Sequence, residues 1–226
     1  MTVRLALFDC DGTLVDSAAN ICSAMAETFA RHALPVPHHH AIRRAVGLSL
    51  FEVMRRLHPT GEEAHHHALA ADYRECFSAM RGTPAFAAEP LYDGIAEAID
   101  ALASAGWALG VATGKSDRGL AMVLAHHGLA ARFATLQTAD RHPSKPHPAM
   151  ALAAIAEAGA TPERTVMIGD TSYDMTMGRA AGAAALGVAW GYHAPDELVA
   201  AGAQAVAAEA AELPGALDAL LTRSAA

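Results

Sequence analysis

The period of apolar and polar positions changes along the chain, and those changes divide it. Val3 to Phe8 is a short β-prone apolar run with charge only near its start, and it stops abruptly at Asp9-Cys10-Asp11-Gly12. That is the pattern of a buried strand followed by a loop. From Asp16 onward Ile21, Met25, Thr28, Phe29 and His32 recur at three- and four-residue spacings, with Asp16 or Ser17 placed to cap the start, so a helix is predicted. Helical patterning continues through Ala41 to Val46, Leu50 to Leu57 and Glu62 to Met80, broken at Pro35-Val36-Pro37, at Gly47 and at Pro59-Thr60-Gly61. No strand is predicted between Asp16 and Arg81.

Beyond a loop rich in small residues, Gly82 to Pro90, strands and helices alternate. Helices are predicted at Ile95–Ala105, Gly119–His127, His147–Ala158 and Tyr173–Ala181. Strands are predicted at Trp107–Ala112, Ala134–Gln137, Thr165–Ile168 and Ala184–Trp190. Such alternation implies parallel β-α units and a sheet covered by helices on both faces. The expected organisation is an α/β, Rossmann-like parallel-sheet core from residues 1–15 and 86–226, interrupted by an all-helical insert at 16–85. The insert enters just after the first strand, beside the carboxyl edge where open α/β sheets bind ligands, so it is placed to act as a lid.

Composition narrows the function classes. The 226 residues are 53% hydrophobic and 18% charged, with a mean hydropathy of +0.19, which is too apolar for intrinsic disorder. The net charge of −8 carries no basic stripe, so no nucleic-acid partner is expected. The longest run without a charged or strongly polar side chain, Ala180 to Tyr192, is interrupted by Gly182, Gly187 and Gly191. It falls short of the roughly 18 to 20 residues that cross a bilayer, and the first residues do not resemble a secretory signal. A cytoplasmic location without membrane association is therefore expected. Three cysteines, Cys10, Cys22 and Cys76, show no CxxC spacing, so neither a disulfide framework nor a zinc site is suggested.

Four segments fall at predicted carboxyl ends of strands: Asp9-Cys10-Asp11-Gly12-Thr13, Ala112-Thr113-Gly114-Lys115-Ser116, Ser144-Lys145-Pro146 and Gly169-Asp170-Thr171-Ser172-Tyr173-Asp174. In a parallel sheet these ends share one edge, so two carboxylate clusters, a hydroxyl and a lysine converge. Two acidic clusters need a cation between them, and hard oxygen ligands suit magnesium. Alternation in an extended segment projects Asp9 and Asp11 to one side. One carboxylate can attack phosphorus, giving an aspartyl phosphate, while the other moves protons. Gly12, Thr13, Thr113 and Gly114 offer backbone N–H groups or hydroxyls, and Lys145 a fixed charge, for holding a phosphoryl group.

The run Asp-Cys-Asp-Gly-Thr-Leu-Val-Asp-Ser, followed in order by Thr113, Lys145 and Gly-Asp-Thr-Ser-Tyr-Asp, resembles the haloacid dehalogenase-like (HAD) hydrolase superfamily over nearly the whole chain. The helical insert after the first strand is similar to the arrangement in phosphoglycolate phosphatases and β-phosphoglucomutases. The resemblance implies Asp9 as nucleophile, Asp11 as general acid/base, and Thr113 and Lys145 as phosphate holders. It implies Mg2+ bound by Asp9, the Asp11 backbone carbonyl and Asp170, with Asp174 as a supporting or direct ligand. Dehalogenase members lack an acid at the position of Asp11, so the resemblance favours a phosphatase of small phosphomonoesters such as 2-phosphoglycolate. A phosphosugar mutase is the alternative, weakened because Ala19-Asn20-Ile21 and Gly47-Leu48-Ser49-Leu50 stand where mutases place a histidine and an arginine. A pyrophosphatase or nucleotidase of the same superfamily is another. A non-catalytic binding module ranks last, because no catalytic residue is missing. Gly114 departs from relatives that carry asparagine there. The implied partner is a small phosphorylated metabolite, handled by a monomer or homodimer.

Blander readings stand beside these. Asp174 also suits a helix start. The runs His38-His39-His40 and His65-His66-His67 point in different directions on a helix and are expected to be solvated rather than metal-binding. Arg43-Arg44 and Arg55-Arg56 are expected on a solvated helix face, with a substrate anion as the alternative partner. Cys10, flanked by carboxylates, is expected to be a packed side chain rather than a reactive thiol.

Overall fold

The computed structural model describes residues 2–224. In chain order the elements are β1 (Val3–Phe8), α1 (Ala18–Arg31), α2 (His39–Arg43), α3 (Leu50–Leu57), α4 (Glu63–Met80), α5 (Ile95–Ser104), β2 (Trp107–Thr113), α6 (Asp117–His126), β3 (Thr135–Thr138), α7 (Ala149–Glu157), β4 (Ala160–Gly169), α8 (Ser172–Ala180), β5 (Ala184–Val188), α9 (Pro195–Ala200), β6 (Ala205–Ala207) and α10 (Leu213–Ser224). The six strands form one parallel sheet in the order β3-β2-β1-β4-β5-β6. The strand order reverses between β1 and β4. That switch point opens a crevice at the carboxyl edge.

The period-2 pattern of β1 explains how the sheet is covered. Ala6 and Phe8 pack with Ile99, Leu102, Leu120, Val123 and Leu217, from α5, α6 and α10. Leu5 and Leu7 point the other way and pack with Met150, Ala154 and Met177, from α7 and α8. A strand buried on both faces reads as a continuous apolar run, as Leu5 to Phe8 does. The helices α1 to α4 have a separate core in which Ile21, Met25 and Phe29 meet Ile42, Val46, Met54 and Leu69. Burying side chains of this kind contributes about 1.5–3 kcal/mol each before conformational entropy is set against it. No helix among the described residues is long and apolar enough to cross a membrane.

Several boundaries move. β4 begins at Ala160 rather than Thr165, and α6 begins at Asp117, where the Ser116 hydroxyl accepts from Gly119 N at 3.1 Å and caps it. α2 ends at Arg43, and Arg44 to Gly47 turn toward the sheet instead of continuing the helix. The chain after Trp190 carries α9, β6 and α10, for which the alanine-rich sequence gives no clear period.

The helical segment is seated on the sheet edge. Ser49 N donates to Ser144 Oγ at 2.8 Å, the Tyr173 hydroxyl donates to Arg44 O at 3.1 Å, and Arg44 pairs with Glu197. Gly114 lies so close under the α2–α3 turn that a Cβ there would stand 2.5 Å from Leu48 O and 2.7 Å from Gly47 O.

Candidate active site

The ends of β1, β2 and β4 and the loop before α7 bring four segments together at the switch point. Asp9 directly follows β1, Thr113 closes β2, Asp170 follows β4, and Lys145 precedes α7. Gly12 turns the first loop with φ +86°, and a Cβ there would lie 2.3 Å from Asp170 Oδ2, so only glycine fits between the two acidic loops.

Asp9 is 1% exposed. Its Oδ1 accepts from Cys10 N at 2.6 Å and pairs with Lys145 Nζ at 2.9 Å. Its Oδ2 is buried with no hydrogen-bond partner. Burial pushes this carboxyl up to about 7; Lys145 opposes the shift, and the neighbouring charge of Asp174 adds to it. Asp170 is likewise raised well above the usual carboxylate range, first by burial and then by Asp9 and Asp174. Its oxygens accept from the Thr13 hydroxyl at 2.8 Å and from Tyr192 N at 2.9 Å. Asp174 opens α8 through a capping box with Thr171, whose N–H and hydroxyl donate to Asp174 Oδ2 at 3.1 and 2.6 Å. Its other oxygen accepts from Lys145 Nζ at 2.7 Å. The helix-start reading and the acidic-cluster reading of Asp174 therefore both hold.

Carboxylate oxygens of Asp9, Asp170 and Asp174 lie within 4.8 Å of one another, the one such group among the described residues. Three buried carboxylates face a single buried ammonium, Lys145, so the cluster lacks positive charge. Oxygen-only donors, an unpartnered Asp9 Oδ2 and two carboxyls held above their ordinary range all fit a small hard cation such as magnesium. The Asp11 side chain is not part of this group.

Asp11 instead pairs with Lys115 Nζ at 2.8 Å and accepts from the Ser17 hydroxyl at 2.5 Å. Of the two candidate caps of α1, Ser17 makes no capping bond with its hydroxyl. The Asp16 carboxylate accepts from Ala18 N at 3.2 Å. Lys115 is charged well past neutrality, because Asp11 and its neighbours outweigh the burial that would lower it. No role follows for Lys115 from spacing alone. Its signal is its place in the strand-end segment Thr113-Gly114-Lys115-Ser116.

Two expected phosphate donors are otherwise engaged. Gly12 N donates to Val15 O at 2.9 Å, Thr13 N donates to Cys10 O at 3.3 Å, and the Thr13 hydroxyl holds Asp170. The first loop uses these groups to close its own turn and to fix the acid opposite. Thr113 and Gly114 do line the cavity, with Asp9, Asp11 and Lys115. Cys10 is fully buried in the sheet core and its thiol is pushed up by burial and by Asp11, as its packing reading requires.

The histidine and arginine expectations change in detail. His66 is 4% exposed and bonds His58 O at 2.8 Å, so it is not a solvated histidine. His32 bridges His65 at 3.1 Å and Asp72 at 2.5 Å through its two ring nitrogens. Arg44 pairs with Glu197, Arg43 stacks over Tyr192 at 5.3 Å, and Arg55 pairs with Glu52. The arginines that border the cavity are Arg74, Arg81 and Arg118, which periodicity does not single out.

A family profile described as haloacid dehalogenase-like hydrolase matches residues 3–182. "Probable phosphatase IndB" of Dickeya dadantii is 35% identical over 225 residues, covering 97% of this chain and 96% of that protein. A phosphoglycolate phosphatase of Agrobacterium fabrum is 32% identical over 190 residues, 83% of this chain and 81% of its own. A crystal structure described as a predicted phosphatase from Clostridium acetobutylicum superposes with a TM-score of 0.85 at 26% identity, covering 97% of this chain and 100% of that one.

Proposed function

Because the chain belongs to the haloacid dehalogenase-like hydrolases, we propose that it is a magnesium-dependent phosphatase of phosphomonoesters that works through an aspartyl phosphate. The observation that carries this reading is Asp9: a buried carboxylate whose Oδ2 has no partner, placed on the cavity beside a second acid, Asp11. Asp9, Asp170 and Asp174 would hold the metal, which would neutralise charge on the phosphoryl group and on the acids around it.

In the first step Asp9 attacks phosphorus and the bond from phosphorus to the alcohol oxygen breaks, while Asp11 gives that oxygen a proton. In the second, Asp11 takes a proton from water, the water oxygen bonds phosphorus, and the bond to Asp9 breaks with release of phosphate. Thr113 and the Gly114 backbone, which line the cavity, would orient the phosphoryl oxygens. Lys145 holds Asp9 through Oδ1 and limits the charge of the cluster. The seated helical segment excludes bulk water during transfer. Relatives named phosphoglycolate phosphatase make 2-phosphoglycolate the reference substrate. The reading includes a cytoplasmic enzyme, monomeric or homodimeric, in keeping with three buried free cysteines.

The test is phosphate release from a panel of phosphomonoesters, with acid-quenched enzyme examined by mass spectrometry for phosphate on Asp9. Asp9→Asn is expected to lower kcat by at least about a thousandfold while circular dichroism stays native. Substantial turnover by that variant removes Asp9 as nucleophile.

A further inference from the structure

The cavity is far larger than a two-carbon ester requires. It measures about 640 Å³, within the roughly 300–1,000 Å³ of pockets that enclose drug-sized ligands. A two-carbon phosphate displaces on the order of 150 Å³, about five waters at ~30 Å³ each. The space is not the product of a lifted lid, because Ser49 N, Tyr173 and Arg44 already tie the helical segment to the core.

The cavity is also two-sided. Its floor, from the sheet edge, is polar: Asp9, Asp11, Thr113 and Lys115. Its roof, from the helical segment, is largely apolar: Leu48 before α3, Leu50 and Phe51 of α3, and Tyr73 and Phe77 of α4, backed by the buried Ile21, Ile42 and Val53. Phe77 stacks with Tyr73 at 5.8 Å and meets Phe86 edge-on at 5.9 Å, extending the aromatic wall. Hydrogen-bonding groups on the roof are few: Ser49 N is given to Ser144, Arg74 and Ser78 are exposed to solvent, Arg81 lies over the Phe77 and Phe86 rings, and the Tyr73 hydroxyl stands on the aromatic wall. A sugar would bury several hydroxyls against the apolar wall unpaired, at about 1–3 kcal/mol each.

We propose that the alcohol portion of the substrate is a ring-sized, largely apolar group, so that the preferred esters are aryl-alkyl phosphomonoesters rather than 2-phosphoglycolate or a sugar phosphate. This inference rests on the phosphatase reading above: the floor takes the phosphoryl group and the roof takes the organic body.

The experiment compares kcat/KM of the full chain with magnesium for ethyl phosphate, 2-phenylethyl phosphate, 2-phosphoglycolate and glucose 6-phosphate. Ethyl and phenylethyl phosphates are both primary alkyl esters, so their ratio reads the contribution of the ring and not the reactivity of the leaving group. The ring is expected to raise kcat/KM about 30-fold, which at 1.4 kcal/mol per tenfold is about 2 kcal/mol, the burial of one aromatic side. Phe77→Ala and, separately, Phe51→Ala are expected to shrink that ratio to a few-fold. A ratio near one, or a higher kcat/KM for 2-phosphoglycolate or glucose 6-phosphate, overturns the inference and leaves the phosphatase reading intact. Hydrolysis of none of the four, with no phosphate trapped on Asp9, overturns both. The substrate comparison uses the unaltered protein, so a variant that fails to fold does not blunt it.

Discussion

Lys115 Nζ lies 2.8 Å from Asp11 Oδ1, and the two side chains are only 10% and 11% exposed. The pair ties the loop after β2 to the loop after β1 and fixes the acid proposed to move protons. Removing Lys115 leaves Asp11 with the Ser17 hydroxyl and no counter-charge. Lys115→Met is expected to cost about 2–4 kcal/mol of stability, the range for breaking one side of a largely buried pair. It is also expected to lower kcat about 10- to 100-fold, because a general acid/base contributes about 10²–10⁴ and is here displaced rather than deleted. Urea denaturation and steady-state kinetics check the two effects, and an unchanged kcat would separate Lys115 from catalysis.

Gly114 is one of the points where the core touches the helical segment, and a methyl group has no room there. With Leu48 O and Gly47 O at 2.5 and 2.7 Å from an added Cβ, the turn between α2 and α3 must back away. Gly114→Ala is expected to raise KM several-fold and to increase protease cleavage near residues 44–49, while the sheet core retains its denaturation midpoint. A variant with wild-type KM and protection would show that this contact is dispensable.

These two residues mark the limits of what the sequence makes legible. The parallel sheet was readable because strands buried on both faces appear as short apolar runs between helical stretches, as Leu5–Phe8 and Val166–Ile168 do. The convergence of Asp9, Thr113, Lys145 and Asp170 followed from one fact, that parallel strands end on one edge. Two kinds of feature were hidden. Alanine fits helix, strand-edge and turn alike, so α9, β6 and α10 carried no periodic signal. Pairings across the chain, such as Lys115 with Asp11 or Arg44 with Glu197, depend on side-chain reach that spacing does not encode. Nor does spacing show that the N–H groups of Gly12 and Thr13 close a turn of their own loop.

The acidic cluster gives the metal-free protein a pH signature. Asp9 has a folded-state value of about 7, above its ordinary 3.8, and Asp170 shifts the same way. A raised carboxyl contributes stability that is fully present below the unfolded value and is lost as pH rises through the folded one, because the unfolded chain releases its proton first. In chelator, stability is therefore expected to fall between about pH 4 and 7.5 by on the order of a few kcal/mol. Magnesium should reverse the loss, with its effect growing toward neutral pH as the competing protons leave. Urea midpoints across that range, with and without the metal, make the comparison. Asp170→Asn should flatten both the pH slope and the magnesium response, and a wild-type response in that variant would place the metal elsewhere.

Lys145 separates charge balance from chemistry. Its ammonium is fully buried, 2.9 Å from Asp9 and 2.7 Å from Asp174, and those charges hold it protonated despite burial. Lys145→Met strands two buried carboxylates and is expected to destabilise the metal-free protein by about 3–5 kcal/mol. Adding Asp174→Asn removes one of the stranded charges, so the double variant should recover part of that loss, with a coupling of about 1–3 kcal/mol between the two sites. Activity should not recover with it, because Asp9 still lacks the group that holds it and the cluster has lost an oxygen donor. Urea denaturation of the four proteins in the cycle gives the coupling, and phosphate release under magnesium gives the activity. Additive stability effects would show that the two side chains do not balance one another. Recovered turnover in the double variant would reduce Lys145 to a counter-ion for Asp174.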